Sequence, residues 1–192
     1  MICIGADLEP STLIAAYRAG LFPMPHGRKR KEIGWWSPDP RGIIPMDGFH
    51  QSHTLRRARR RFTVTHDSQF TEVMRRCGDP RRPHGWINDA FVDAYSLLHG
   101  LGWASSTEVL DATGELVGGV YGVRIERLFA GESMFHTKTD ASKVALAALI
   151  ERLRDEGVEL FDVQWTTPHL ISLGAIDISR DDYLRRLASA TG

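Results

Sequence analysis

The sequence predicts an α+β fold: a mostly antiparallel sheet flanked by helices, with a small N-terminal region packed on it. Three observations carry that expectation. Residues 106–135 hold three strand-like runs in succession, Ser106–Leu110, Leu116–Ile125 and Leu128–Phe135, the first two joined by the turn Ala112-Thr113-Gly114-Glu115. The clearest helical stripe follows, with Ala141, Val144, Ala145, Ala148, Leu149 and Leu153 on one face; Gly157 ends it and a further strand, Val158–Trp165, starts at once. Between Leu21 and Arg41, by contrast, four prolines and the pair Trp35-Trp36 suit an extended, aromatic-rich segment wrapping a surface rather than a regular element.

The elements follow in order. Pro10-Ser11 opens a short helix with Ser11 as its cap and Leu13, Ile14 and Tyr17 at helical spacing, stopped by Gly20. A basic turn comes after Pro25. Residues 52–62 form a capped helix in which Leu55, Ala58 and Phe62 make a narrow apolar stripe and five arginines, Arg56, Arg57, Arg59, Arg60 and Arg61, cover the rest. No acid is interleaved, so these arginines suit phosphate groups, unless they simply form a solvated face. Phe62–Thr65 is a short strand, Asp67 caps the helix carrying Phe70, Val73 and Met74, and Asp79–Gly85 is a Pro/Arg/Gly-rich loop at a domain boundary. A helix from about Asp89 to His99 presents Phe91, Val92, Tyr95 and Leu98 to the core. Gly118-Gly119 interrupts the middle strand and marks a bulge or a close backbone approach. Asp140 caps the long helix, His169–Ile178 returns a last strand, and Ser179-Arg180-Asp181-Asp182 opens the final helix. Residues 88–178 thus read α-β-β-β-α-β-β, the element order of the acyltransferase fold of N-acetyltransferases. The division expected is 1–50 as the N-terminal region, 51–85 as a basic connecting segment and 86–192 as the main domain.

Composition narrows the function. The 192 residues suffice for one good core with a small attachment. Lys+Arg and Asp+Glu balance at 24 each, so no global field draws the protein to polyanions, although the 51–62 arginines make a local basic face. No stretch approaches the roughly 18 apolar residues of a membrane span, and the opening residues do not resemble a secretory leader. Two cysteines, Cys3 and Cys77, without metal-ligand spacing fit a reducing compartment. A cytoplasmic location is expected.

Chemistry concentrates at two strands. If Leu160–Trp165 alternates, Asp162 and Gln164 share one face and Phe161, Val163 and Trp165 the other. A carboxylate and an amide there need hydrogen-bond partners, either an internal network or a substrate. Glu132 poses the same question in Gly131-Glu132-Ser133-Met134-Phe135. There is no phosphate-loop, His-Glu-x-x-His or Gly-x-Ser-x-Gly motif, the eight histidines are scattered, and no metal site is expected. The slot where a CoA-dependent enzyme of this fold would carry a glycine-rich loop reads Phe135-His136-Thr137-Lys138-Thr139-Asp140-Ala141-Ser142-Lys143, with no glycine and an acid at the helix start. CoA binding is therefore not expected.

The runs Gly5-Ala6-Asp7-Leu8, Leu21-Phe22-Pro23, Trp35-Trp36-Ser37-Pro38-Asp39-Pro40-Arg41, Leu116-Val117-Gly118-Gly119-Val120-Tyr121-Gly122, Phe129-Ala130-Gly131-Glu132-Ser133-Met134-Phe135, Ala141-Ser142-Lys143 and Ser172-Leu173-Gly174-Ala175 resemble leucyl/phenylalanyl-tRNA–protein transferases, in order and over nearly the whole chain. The resemblance implies an acetyltransferase-like (GNAT-type) fold and an enzyme that needs neither metal nor CoA. It implies transfer of Leu or Phe, and less well Met, from aminoacyl-tRNA to the α-amine of proteins or peptides beginning with Arg or Lys, a degradation signal in the bacterial N-degron pathway. By the same resemblance Asp162 and Gln164 are the catalytic polar pair, with Asp162 orienting or deprotonating the amine, and Glu132 faces the cationic acceptor or supports Gln164. Val120, Phe129, Met134 and Phe161 line the side-chain pocket. Trp86, Tyr17 and Met24 lie around the terminal adenosine, and Arg56, Arg57, Arg59, Arg60 and Arg61 meet the acceptor stem.

Overall fold

The computed structural model describes residues 1–28, 32–82 and 86–192; most of the expected basic turn, at 29–31, and the end of the Pro/Arg/Gly loop, at 83–85 with His84, lie outside the described residues. The N-terminal part comprises β1 (Cys3–Ile4), α1 (Pro10–Arg18), β2 (Phe22–His26) and β3 (Glu32–Trp36), with the strands in the antiparallel order β1-β3-β2. The aromatic-rich segment is therefore a hairpin, not the irregular wrap expected from its prolines. Pro23 and Pro25 pair with Trp35 and Ile33 on β2, which is an edge strand, and an edge tolerates residues that cannot donate to a ladder. Trp35 is buried and its Nε1 donates to the Gly5 carbonyl at 2.8 Å, so this ring is committed to packing. The α1 cap also differs. Pro10 takes the first helical position after Glu9, and no side chain caps the end.

The remaining elements are β4 (Arg41–Ile44), α2 (His53–Arg59), β5 (Thr63–His66), α3 (Phe70–Cys77), α4 (Asp89–Gly100), β6 (Ala104–Leu110), β7 (Leu116–Ile125), β8 (Leu128–His136), α5 (Ala141–Asp155), β9 (Leu160–Gln164), α6 (Pro168–Ile171), β10 (Ile176–Ile178) and α7 (Arg180–Ala190). Seven strands form one sheet in the order β10-β4-β9-β8-β7-β6-β5, with β8 and β9 its parallel pair. The meander β6-β7-β8, the crossover α5 and the parallel β9 give the acetyltransferase-like α+β fold that the element order implied. Segments assigned to the N-terminal and connecting regions each add a strand, β4 beside β9 and β5 at the far edge.

Two apolar cores sandwich this sheet. α1, α3 and α4 pack Leu13, Val73, Met74, Phe91, Tyr95 and Leu98 on one face. α5 and α2 pack Val144, Leu149, Leu153, Leu55 and Ala58 on the other. The close approach expected at the double glycine is real. A Cβ on Gly118 would lie 2.6 Å from that of Ala141, so the start of α5 rests directly on β7. A register shift lies right beside the double glycine, since Val109 pairs with Gly118 but Leu110 with Leu116; others fall at Tyr121/Gly122 and Gly42/Ile43. Caps are made by Ser52, Asn88 and Ser179, which accept from Leu55, Phe91 and Asp182 amides. Asp140 and Asp67 do not cap. Asp140 sits at φ 70° without a cap bond, beside Lys143 and Arg61 at 3.5 Å each. Asp67 accepts from the Ser106 amide and from Arg152. The final return is a short helix and a three-residue strand, because Pro168 starts a turn of helix and the Thr167 hydroxyl caps it.

Candidate active site

The site arises where the parallel strands part. β8 and β9 pair only through Leu128–Leu160, Phe129–Phe161 and Ala130–Asp162. Beyond that point the sheet opens, and the register shift at Tyr121/Gly122 bends β8 further from a regular ladder. Two adjoining cavities fill the wedge, with Glu132, Ser133, Val163 and Gln164 in the walls of both.

The smaller cavity, about 100 Å³, is apolar: Val120 and Met134 from the meander, Phe161 and Val163 from β9, Leu146 from α5 and Leu170 from α6. Three of the four expected pocket residues line it. The fourth, Phe129, is fully buried beneath it, its ring edge-on to Phe161 at 5.4 Å, and supports the wall without forming it. Val163 shares the alternation of Phe161 and was legible on that ground. Leu146 and Leu170 were not, because their approach depends on how α5 and α6 dock.

The larger cavity, about 410 Å³, is lined by Phe22, Met24, Arg82, Trp86, Trp165 and Thr167. Trp165 is 42% exposed, edge-on to Phe22 at 5.0 Å and to Trp36 at 6.1 Å. Trp86 and Met24 are thus wall residues, but Tyr17 is not. Tyr17 is buried, with no ring face open to a base, and its hydroxyl donates to Glu132 Oε1 at 2.6 Å. A second hydroxyl, that of Tyr95, lies 2.6 Å from the Tyr17 oxygen. Burial pushes the Glu132 carboxyl up to about 8; the neighbouring Asp162 adds to this, while the Tyr17 hydrogen bond and Arg41 oppose it. Burial, together with Glu132, also raises both phenols well above their ordinary value, so they remain donors.

Asp162 is placed differently from the alternation expected for β9. It is 0% exposed and forms no part of either cavity wall. Arg41 holds it two-pronged, Nε to Oδ1 at 2.8 Å and Nη2 to Oδ2 at 2.5 Å; the Tyr183 hydroxyl donates to Oδ2 at 2.9 Å and the Gln164 amide to Oδ1 at 2.9 Å. Four donors occupy the two oxygens, which leaves none directed at a substrate. Gln164 adopts φ 59°, so the alternation stops there and its side chain joins those of Phe161 and Val163 at the cavities instead of lying beside Asp162. Its Nε2 is buried without a hydrogen-bond partner among the described residues. A buried amide donor left open at a cavity wall is suited to a carbonyl oxygen.

No histidine lines either cavity among the described residues, so no imidazole is placed there to activate Ser133. Burial pushes the Cys77 thiol, also on the wall, up to about 12, which makes it a poor nucleophile. The arrangement therefore favours direct attack of one substrate on another over a covalent enzyme intermediate. No group of three or more His, Cys, Asp or Glu that could hold a metal converges among the described residues, and no helix among them is long and apolar enough to cross a membrane.

The arginines of α2 lie apart from both cavities, on the face of the sheet covered by α5. Arg57, Arg60 and Arg61 line a broad surface hollow with Thr54 and Asp140. Arg59 pairs with Glu151 at 2.5 Å, and Arg56 approaches His53 at 3.5 Å.

Comparison with known proteins gives the family. Residues 43–188 match the model of the family described as leucyl/phenylalanyl-tRNA protein transferase, and residues 6–39 match its N-terminal domain. A leucyl/phenylalanyl-tRNA--protein transferase of Cereibacter sphaeroides is 53% identical over 95% of this chain and 85% of its own length. One from Dinoroseobacter shibae is 46% identical over 95% and 82%. Among solved structures, FemX overlays with a TM-score of 0.49 at 11% identity, covering 92% of this chain and 70% of its own, a likeness on which nothing further rests. The chain belongs to the leucyl/phenylalanyl-tRNA protein transferase family.

Proposed function

We propose that the protein moves leucine or phenylalanine, and methionine less well, from aminoacyl-tRNA to the α-amine of a protein beginning with arginine or lysine, marking that protein for degradation. The observation that carries this reading is the shared wall: an apolar slot and a larger cavity meet at Glu132 and Gln164. The apolar slot receives the amino-acid side chain, and its Met134 and Leu146 tolerate several apolar shapes that are not β-branched. The larger cavity receives the terminal adenosine against Trp86 and Trp165, where stacking contributes roughly 1–3 kcal/mol per base. The α2 arginines meet the phosphates of the acceptor stem without reading its sequence.

The reaction is aminolysis of an ester. The acceptor nitrogen attacks the carbonyl carbon, the C–N bond forms, and the C–O bond to the ribose breaks. Glu132 in its ionised form takes the amine proton, and the resulting carboxyl delivers a proton to the departing ribose oxygen. A carboxyl near 8 is matched to a terminal amine of about 7.7–8, so proton transfer between them is close to balanced. The Gln164 Nε2 donates to the developing oxyanion. Asp162 orients rather than deprotonates, since its oxygens are filled. Glu132 in its ionised form favours a cationic N-terminal residue over an acidic one, while the Asp162 charge is offset by Arg41.

The test mixes the protein with Phe-tRNA and two peptides, one beginning with Arg and one with Asp. Label on the Arg peptide alone is expected. Label on neither, or equal label on both, overturns the acceptor assignment.

A further inference from the structure

Outside the two cavities, Arg41, Asp162 and Tyr183 form a buried polar cluster. It joins three segments distant in sequence: the start of β4, the catalytic strand β9 and the C-terminal helix α7. Arg41 is 1% and Asp162 0% exposed. Burying such a pair carries a desolvation cost that good geometry only offsets, so packing alone gives little reason to keep it. Each guanidinium nitrogen donates at least once. Arg41 gives Nε and Nη2 to Asp162, Nη1 to the Gly20 carbonyl at 3.0 Å and Nη2 also to the Tyr183 oxygen at 3.2 Å. The guanidinium lies over the Tyr183 ring at 4.2 Å and near the Phe22 ring at 4.9 Å.

We propose that Arg41 and Tyr183 are positioning residues for the transfer reaction, fixing Asp162 so that it holds the backbone of Gln164 in the left-handed turn that aims its side-chain amide at the reacting carbonyl. This rests on the reaction proposed above. The chain of contacts is short. Asp162 Oδ1 accepts from the Gln164 amide at 2.9 Å, and Gln164 has φ 59°, a conformation a non-glycine residue keeps only when its surroundings impose it. The other Asp162 oxygen is shared by Arg41 and Tyr183, so loss of that hydroxyl leaves the guanidinium as its one remaining hold and loosens the carboxylate beside the amide. The same guanidinium touches Gly20 and Phe22, and Phe22 is a wall of the larger cavity. One side chain therefore sets the spacing between the wall that receives the adenosine and the residue that receives the carbonyl.

Tyr183→Phe is the mild variant, since it keeps the ring under Arg41 and removes one hydroxyl. Arg41→Lys keeps the charge and loses the two-pronged grip. Misplacing a catalytic group slightly costs of order 10–100-fold in rate. The expected result for Tyr183→Phe is therefore a kcat lower by about 10-fold. Its KM values for Phe-tRNA and for the Arg peptide should stay within about 2-fold, because neither residue lines a cavity. A merely structural role would lower the active fraction and leave the kcat of folded enzyme, counted by active-site titration, unchanged. A second readout is independent of turnover. Hydrogen exchange at the Gln164 amide should speed by about 10-fold in Tyr183→Phe, with amides of α5 unaffected. Unchanged kcat with unchanged Gln164 exchange overturns the inference even while wild-type protein labels the Arg peptide. If wild-type protein labels no peptide, the proposed reaction fails, and the exchange measurement alone decides whether the clamp holds Gln164.

Discussion

Replacing Glu132 with glutamine tests the electrostatics of the site directly, because glutamine keeps the shape and the acceptor for Tyr17 but cannot ionise. The folded-state carboxyl lies near 8 against an ordinary 4.5, so the native state holds its proton to higher pH than the unfolded chain. The resulting stability is fully present below about 4.5 and is lost as pH rises through about 8. At 1.36 kcal/mol per tenfold change in the proton equilibrium, the complete loss is about 5 kcal/mol, of which roughly 2–3 kcal/mol falls between pH 6 and 9. Water in the adjoining cavities lowers that figure, since Glu132 borders both. The assay is urea denaturation of both proteins at pH 6, 7.5 and 9. The wild type should weaken relative to Glu132→Gln by at least about 1 kcal/mol between the two extremes, while the variant loses most of its transferase rate. Parallel stability curves, agreeing within about 0.5 kcal/mol at every pH, would refute a desolvated carboxylate at this position.

Other perturbations address the remaining parts of the site. An alanine at Gly131 would set its Cβ 2.7 Å from the Phe161 ring, so Gly131→Ala should narrow the apolar slot. Competition between Leu-tRNA and Phe-tRNA should then shift towards leucine, and no shift would remove this cavity from substrate selection. Arg57, Arg60 and Arg61 replaced together by alanine should weaken tRNA binding and flatten its salt dependence, by about 0.7–0.9 in log–log slope for each phosphate no longer neutralised, with kcat at saturating tRNA retained. Gly118→Ala forces β7 away from Ala141 and should cost about 1–3 kcal/mol in thermal or urea unfolding.

How far the chain could be read depended on whether a feature is local. The meander, α5 and β9 were legible because period and turn chemistry act within a few residues: β7 runs from Leu116 to Ile125, as its apolar run indicates. The β2–β3 hairpin was not, because prolines argue against a strand until one knows that the strand is an edge. Residue types at the site were legible from polar groups on apolar strands, but directions were not. Gln164 turns away from the alternation through a backbone angle imposed by Asp162, and Asp162 is fixed by Arg41 and Tyr183, 121 and 21 residues away along the chain. Tyr17 resembled a nucleotide contact by its place in a motif. Only the folded chain puts its hydroxyl on Glu132.

The two acids illustrate how environment divides labour between identical functional groups. Each sits on one of the strands that part at the cavities, but their partners differ in charge. Asp162 meets a guanidinium and two further donors that satisfy it completely, so in the proposed reaction it serves as a fixed strut. Glu132 accepts from the Tyr17 phenol, which the Tyr95 hydroxyl touches in turn, and neither phenol supplies positive charge. The missing cation is the feature an incoming ammonium would supply. Exchanging the partners, by a cation beside Glu132 or by loss of Arg41, would convert the strut into a poor base and the base into a strut. On this reasoning Tyr95→Lys should abolish transfer with both cavities intact, and retention of the wild-type rate in that variant would show that Glu132 does not carry the proton.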